Sequence, residues 1–275
     1  MTIRRRSIAG SAALSGIGLH TGKQCAVRFL PGAPGSGIKF RRTDLPGRPE
    51  IPATVDFVTD TSRHTCLADG DATVATTEHL LASVASLNID DLVIELDGPE
   101  LPIMDGSARS YFAALQESTV IEVDGEADEL ELSASFTVET GSSSYKVCPS
   151  AHPKVSVTID WDHDVIGKQS AAFSLSQETF EREIADARTF GFLAEGQELL
   201  DKGLIQGAAL DNVVVLTDDG VDGTELRWPD EFVRHKMLDL LGDLCLLARR
   251  IRCSVEAYRP SHTGNIALVR SLKEF

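Results

Sequence analysis

No stretch of the 275-residue chain comes near the roughly 18 consecutive apolar residues of a membrane span, so a spanning helix is excluded. Basic residues are the minority: 26 Lys and Arg stand against 42 Asp and Glu, a net charge of -16. A nucleic-acid binder neutralises phosphates with a basic face, so nucleic acid is excluded as a partner, while a local basic pocket for one small anion is not. Cysteine is scarce. Cys25, Cys66, Cys148, Cys245 and Cys253 are odd in number and scattered, without a C-x-x-C, which sets aside a disulfide framework and suits a reducing compartment with mostly buried thiols. No glycine-rich nucleotide fingerprint follows a strand, and no internal repeat is visible by eye.

What is present is ordinary for a globular protein: 42% hydrophobic and 25% charged residues, with length enough for a sizeable core. Arg4-Arg5-Arg6 followed by Ser7 to Leu14 imitates an export signal, but the apolar part is short and broken by Gly10 and Ser11. It runs without a cleavage site into Gly16-Ile17-Gly18-Leu19-His20-Thr21-Gly22, so a mature cytoplasmic protein is expected.

Ala26 to Leu30 and Ile38 to Arg42 read as strands around a Pro/Gly loop, and Leu92 to Leu96 as a buried strand. A helix from a Thr76 or Thr77 N-cap to Asn88 and a second from Ala108 to Glu117 complete the first half. An acidic linker, Glu122 to Glu131, precedes strands at Ser135 to Val138, Lys154 to Asp160 and Asn212 to Leu216, with a helix near Gln177 to Ala187. A long helix follows, with Asp230 and Glu231 in its first turn and Arg249, Arg250 and Arg252 in its last, in the charge order that complements the helix dipole. Cys253 to Tyr258 is a strand, and Ser261 to Asn265 a loop. The mixture lacks the regular alternation of a doubly wound sheet. The expected fold class is α+β: two α+β domains of similar layered topology, residues 1–125 and 126–275, each a sheet covered by helices.

Three clusters carry chemistry. His235, Asp239 and Asp243 recur every four residues on one helix face, so an imidazole and a carboxylate can reach one cation together. Zinc takes three protein ligands and an open position in catalytic sites, so a further ligand must come from elsewhere. Glu78-His79 offers a ligand with an adjacent base, the division of labour of H-E-x-x-H peptidases. His262 in a Gly-containing loop suits a general acid, with Asp243 orienting the ring. Each has a plainer reading, respectively an i,i+4 surface pair, a capping acid beside a partly exposed His, and a turn residue. Asp239 and Asp243 lie in a strongly apolar stretch, however, and buried carboxylates need partners.

Taken in order, these residues resemble the UDP-3-O-acyl-N-acetylglucosamine deacetylase (LpxC) family, the zinc amidases of the committed step in lipid A synthesis. The resemblance runs through Gly18-Leu19-His20-Thr21-Gly22, Arg41-Arg42-Thr43-Asp44, Thr77-Glu78-His79-Leu80 and Pro102-Ile103-Met104-Asp105-Gly106-Ser107. It continues through Ala187-Arg188-Thr189-Phe190-Gly191-Phe192 and Glu231 to Asp239, and ends at the loop holding His262. It implies one Zn2+ on His79, His235 and Asp239, with Fe2+ as the alternative metal. It implies Glu78 as general base, Thr189 as oxyanion donor, His262 as general acid oriented by Asp243, and Lys236 as a positive charge toward the substrate phosphates. The substrate would be a small acylated UDP-amino sugar, acted on by a monomer with the site between the domains. His20 would approach the diphosphate and Trp161 the nucleotide. Phe190, Phe192 and Leu210 would border the acyl passage, together with Leu199, Leu204, Val215 and a small helix near Gly196 to Lys202; for these residues ordinary core remains the alternative. Gly196, Gln197, Gly207-Ala208-Ala209 and Ser261 depart from the family's pattern, which bears on acyl-chain preference and passage shape rather than on the reaction. A non-catalytic binder of the same sugar nucleotide and a zinc hydrolase of another amide or ester are the rival readings.

Overall fold

The computed structural model describes residues 3–275. Alternation makes its strands: in Gln24–Pro31, Cys25, Val27 and Phe29 face inward while their neighbours face solvent. Strands β1 (Ala12–Ile17), β2 (Gln24–Pro31), β3 (Ile38–Arg42), β4 (Glu50–Pro52) and β5 (Leu92–Leu96) form a sheet in the order β1-β2-β5-β3-β4. Only β3 and β5 pair in parallel. Strands β6 (Phe136–Thr140), β7 (Ser143–Pro149), β8 (Lys154–Asp160), β9 (Lys168–Ser174) and β10 (Arg250–Tyr258) form another in the order β6-β7-β10-β8-β9. Along that path only β8 and β10 are parallel, so the two halves repeat one topology strand for strand. The repeat is invisible in the sequence because shared topology needs only shared periodicity, not shared residues.

The helices repeat too. α1 (Glu78–Ser86) and α2 (Arg109–Glu117) flank β5; α3 (Gln177–Glu183) and α4 (Leu193–Asp201) follow; α5 (Glu231–Cys245) and α6 (His262–Leu272) flank β10. Leu80, Leu81 and Val84 of α1 and Phe232, Leu238 and Leu240 of α5 are fully buried, each contributing about 2 kcal/mol by leaving water. The two helices touch at Gly242, where a Cβ would fall 2.0 Å from the Glu78 carbonyl oxygen. Only a residue without a side chain allows that approach. Each half also inserts a small three-stranded sheet, Val58–Asp60 with Cys66–Asp69 and Ala72–Val74 before α1, and Phe190–Phe192 with Val214–Thr217 and Gly220–Asp222 before α5.

Several expectations change in detail. α5 stops at Cys245, and Arg250 and Arg252 lie on β10, so they do not complement its dipole; they pair instead with Asp90 and Glu131. Thr77 is the N-cap residue of α1, as expected, but no hydroxyl caps the helix: that of Thr76 donates to Glu100 and that of Thr77 to the Thr65 carbonyl. The acidic linker is structured: Val120–Glu126 pairs with Arg4–Ile8, and Glu129–Glu131 adds in parallel to β10. Strand pairing satisfies its backbone, which the acidic composition concealed. Ser261 to Asn265 opens α6 rather than a loop, with the Ser261 hydroxyl accepting from the Gly264 N–H. The cysteines are free; Cys25 and Cys253 are buried, the other three half-buried. Among the described residues no helix is long and apolar enough to cross a membrane.

Candidate active site

On α5, His235 and Asp239 stand one turn apart, with Asp239 Oδ1 3.3 Å from His235 Nε2. α1 brings His79 Nε2 to 3.7 Å from the same oxygen. Donor atoms of these three buried residues all lie within 4.8 Å of one another. Asp239 Oδ1 is buried without a hydrogen-bond partner, an arrangement costly for a carboxylate oxygen alone and natural for one facing a cation. Burial lowers the pKa of His79 to about 3 and also lowers that of His235, so both favour the neutral imidazole, the form that ligates metals. Burial alone would raise the Asp239 pKa, but the electrostatic influence of the adjoining His235, Lys236, His262 and His79 side chains outweighs it and keeps the carboxylate ionised. His235 Nδ1 lies 3.1 Å from the Ala187 carbonyl; donation to that oxygen fixes the tautomer and leaves Nε2 to face Asp239. The donor set therefore fits a divalent cation with three protein ligands.

Glu78 sits beside His79 in the first turn of α1, fully enclosed, and burial raises its pKa to about 7. Its Oε2 accepts from the Thr65 N–H at 3.1 Å, and its Oε1 is 3.9 Å from His262 Nε2. His262 is the first residue of α6, and its Nδ1 is 2.9 Å from Asp243 Oδ2. Burial opposes a charge on this ring, but the Asp243 carboxylate and its hydrogen bond, with Glu78 and Asp239, raise the pKa to about 9. The ring is thus cationic near neutrality.

Glu78, His79, His235, Asp239 and His262 line one cavity of about 390 Å³, to which Thr189, Phe190, Phe192, Lys236, Trp161 and His20 also contribute. Thr189 is fixed by its N–H to the Gly106 carbonyl at 2.8 Å, and Gly106 itself has φ +85°, closed to side chains by the Asn212 carbonyl. The neighbouring Arg188 grips buried Glu231 at 2.8 Å, which ties this segment to the start of α5. Lys236 Nζ is 2.6 Å from Asp239 Oδ2 and 5.7 Å from the Phe190 ring centre. Trp161 packs edge-on against Phe190. His20 is buried, its loop held by Glu100, which accepts from the His20 and Thr21 N–H groups. Asp243 lies behind His262, outside the lining, as an orienting residue would. Leu210 stands outside the cavity, half-exposed against Gly223. A second cavity at the other end of the helix pair, lined by Ala85, Leu241, Leu244 and Cys245, holds no such cluster.

Sequence reasoning overlooked Thr65, Asn265, His64 and Glu100. Asn265 Nδ2 donates to Asp243 Oδ2 at 2.8 Å, and Thr65 Oγ1 donates to Asp243 Oδ1 at 2.5 Å. His64 stacks on His20 with ring centres 4.5 Å apart, and burial lowers its pKa to about 4. The one available signal was spacing: Asn265 follows His262 by three, which places both on one helical face once α6 is recognised.

A duplicated α+β frame and a buried His2Asp donor set, with the Glu78 carboxylate and the cationic His262 ring side by side on the same cavity, are the arrangement of a metal-dependent hydrolase. Comparison with known proteins makes this particular. The model of the LpxC family, UDP-3-O-acyl N-acetylglycosamine deacetylase, matches residues 5–274, and the chain belongs to that family. It is 41% identical over 271 residues to the UDP-3-O-acyl-N-acetylglucosamine deacetylase of Myxococcus xanthus (strain DK1622), covering 98% of this chain and 86% of the relative. It is 39% identical over 272 residues to the protein of the same name from Bdellovibrio bacteriovorus, covering 98% and 88%. The one from Citrifermentans bemidjiense is 41% identical over 272 residues, with 98% and 89% covered.

Proposed function

We propose that this protein hydrolyses the N-acetyl group of UDP-3-O-acyl-N-acetylglucosamine to acetate and the free amine, with Zn2+ as its metal. In this reading it acts in the cytoplasm, in the committed step of lipid A biosynthesis. The observation that carries the reading is the convergence of Glu78, His79, His235, Asp239 and His262 on one cavity, in a chain matched to the family almost end to end. The names of its relatives support the substrate.

His79, His235 and Asp239 would hold the ion, which supplies Lewis acidity that polarises the amide carbonyl and makes water easier to deprotonate. The same donors admit Fe2+. Glu78 takes the proton from the attacking water, and a pKa of about 7 suits a base working near neutrality. As the oxygen bonds to the acetyl carbon, the carbonyl oxygen gains negative charge, and the Thr189 hydroxyl donates to it. His262 gives its Nε2 proton to the amine nitrogen as the C–N bond breaks, while Asp243 stabilises the cationic ring beforehand. Lys236 turns positive charge toward the phosphates, with His20 on the diphosphate side and Trp161 near the nucleotide. Phe190 and Phe192 begin the acyl passage, and Leu210 borders its continuation outside the cavity. Residues 1–125 and 126–275 act as two units with the site between them, all of it from one chain, which suits a monomer.

Protein of measured metal content, supplied with UDP-3-O-acyl-N-acetylglucosamine, is expected to carry one zinc per chain and release acetate. Metal-loaded protein that binds this compound saturably without releasing acetate would sink the reading. Equal turnover of amides lacking the uridine diphosphate would move it to a broader amidase.

A further inference from the structure

We infer that Thr65 is a positioning residue that holds the base Glu78 and the acid pair Asp243–His262 in a single arrangement; this rests on the roles proposed above for those three. Thr65 is fully buried, just ahead of the strand Cys66–Asp69 in the first half's small sheet. Each of its polar groups goes to a different part of the site. Its N–H donates to Glu78 Oε2 at 3.1 Å. Its hydroxyl donates to Asp243 Oδ1 at 2.5 Å and lies 3.2 Å from His262 Nδ1. Its carbonyl accepts from the Thr77 N–H at 3.3 Å and the Thr77 hydroxyl at 3.1 Å, which ties it to the start of the helix bearing Glu78 and His79.

Donor arithmetic fixes the directions. An ionised carboxylate only accepts, so the single hydroxyl proton of Thr65 goes to Asp243 Oδ1. The Nδ1–H of His262 points to Oδ2 at 2.9 Å and finds Thr65 Oγ1 as a second acceptor at 3.2 Å. Asn265 Nδ2 completes Oδ2 at 2.8 Å. With both oxygens engaged, the carboxylate cannot swing, and the imidazole plane follows it. Nε2 is then aimed at the cavity, 3.9 Å from Glu78 Oε1 and 4.0 Å from Asp239 Oδ2. Through its backbone Thr65 holds the base, and through its side chain the acid. Valine would keep the shape, remove the proton, and leave Asp243 Oδ1 buried and unsatisfied.

The test compares T65V and T65S in metal-loaded protein, reading kcat, KM, bound metal and the imidazole Nδ1 proton resonance of His262, assigned by its absence in H262A. T65V is expected to lower kcat roughly 10- to 100-fold, as loss of an orienting partner does, with KM and metal content unchanged. T65S should recover most of the loss and restore the Nδ1 proton to its wild-type position. T65V added to D243N should cost little beyond D243N alone, because both act through one carboxylate. Wild-type kcat in T65V, equal losses in T65V and T65S, or fully additive losses with D243N would overturn the inference. T65A replaces T65V if the latter fails to fold. The resonance comparison needs no turnover, so an inactive wild-type protein would defeat the deacetylase reading while the Thr65 contact was still tested on its own.

Discussion

The two halves share one strand order and one placement of helices, yet corresponding helices carry different chemistry. In α1 the reactive pair, Glu78 and His79, occupies the first turn; in α5 His235, Asp239 and Asp243 run down the middle of a helix of 15 residues. The N-terminus of α2 presents Arg109, whose guanidinium pairs with Asp186, whereas that of α6 presents His262. A helix N-terminus disfavours a cation, and burial disfavours any charge, so His262 depends on Asp243 to hold its proton. The same position in the first half also pairs its cation with a carboxylate, Asp186, but there both side chains remain partly exposed, whereas His262 and Asp243 are buried. Duplication therefore supplies a frame and a seam, and the chemistry comes from what each copy places at the seam.

The division of labour is broken most completely at Glu78, the base of the proposed reaction. Glu78→Gln keeps the shape and the contact with the Thr65 N–H but cannot take a proton. It is expected to lower kcat by roughly a thousandfold, within the range of general base catalysis, while metal analysis shows the ion retained. Full activity would remove Glu78 from its role. The next largest effect is expected where the two helices meet at a residue with a single hydrogen for a side chain. Gly242→Ala puts a methyl into the Glu78 carbonyl, which forces α1 and α5 apart. Urea unfolding should show a loss of about 3 kcal/mol, the upper end for overpacking, and kcat should fall with it because the helices carry both sides of the site. Unchanged stability would mean that the helix contact adapts at no cost.

Much of this seam was legible in the sequence, and the reason is local. His235, Asp239 and Asp243 announce themselves because helical periodicity converts spacing into a shared face, and Glu78-His79 because adjacent residues need no fold to be adjacent. Thr65 could not be seen: its partners Asp243 and His262 are 178 and 197 residues away, and a lone threonine before a strand has no distinguishing pattern. Two layered α+β halves were expected from the sequence, but their common strand order was hidden for a similar reason, since it is set by long-range pairing. The misread start of α6 has a nearer cause. Gly264 in the first turn suggested a loop, yet a glycine there faces Ser143 and Tyr145 where a side chain would collide.

Asp91 sharpens the comparison from the side of stability, since it braces the first half alone. It accepts from Arg5 Nε at 2.7 Å and from the Gly37 N–H at 2.8 Å, between the first described strand and β3. Burial alone would raise its pKa, but the Arg5 and Gly37 hydrogen bonds win and lower it from 3.8. A carboxylate with a depressed folded pKa stabilises the fold above its unfolded pKa and loses that contribution as pH falls through the folded value. Asp91→Asn is therefore expected to cost about 2 kcal/mol near neutral pH, less than the full loss of a buried pair because the amide oxygen still accepts. The gap from wild type in urea unfolding should shrink as pH drops below about 4. A gap that stayed constant down to strong acid would show that the ion pair is not its source.

The smallest expected effect concerns the insert that carries the second half's small sheet. Phe192 lines the cavity, while Leu193, Leu200 and Leu210 of the same segment remain exposed. Exposed leucines on the segment that carries Phe192 are the features an acyl chain would cover on leaving the cavity. Leu210→Ser would then remove partial contact worth about 1 kcal/mol, or roughly a fivefold rise in KM, for substrates whose acyl chain reaches it. The same variant should leave KM for short-chain substrates and kcat for both unchanged, because Leu210 touches Gly223 and none of the reacting groups. A KM rise that ignored chain length would assign Leu210 to the fold of the insert, and no rise at all would turn the acyl path elsewhere.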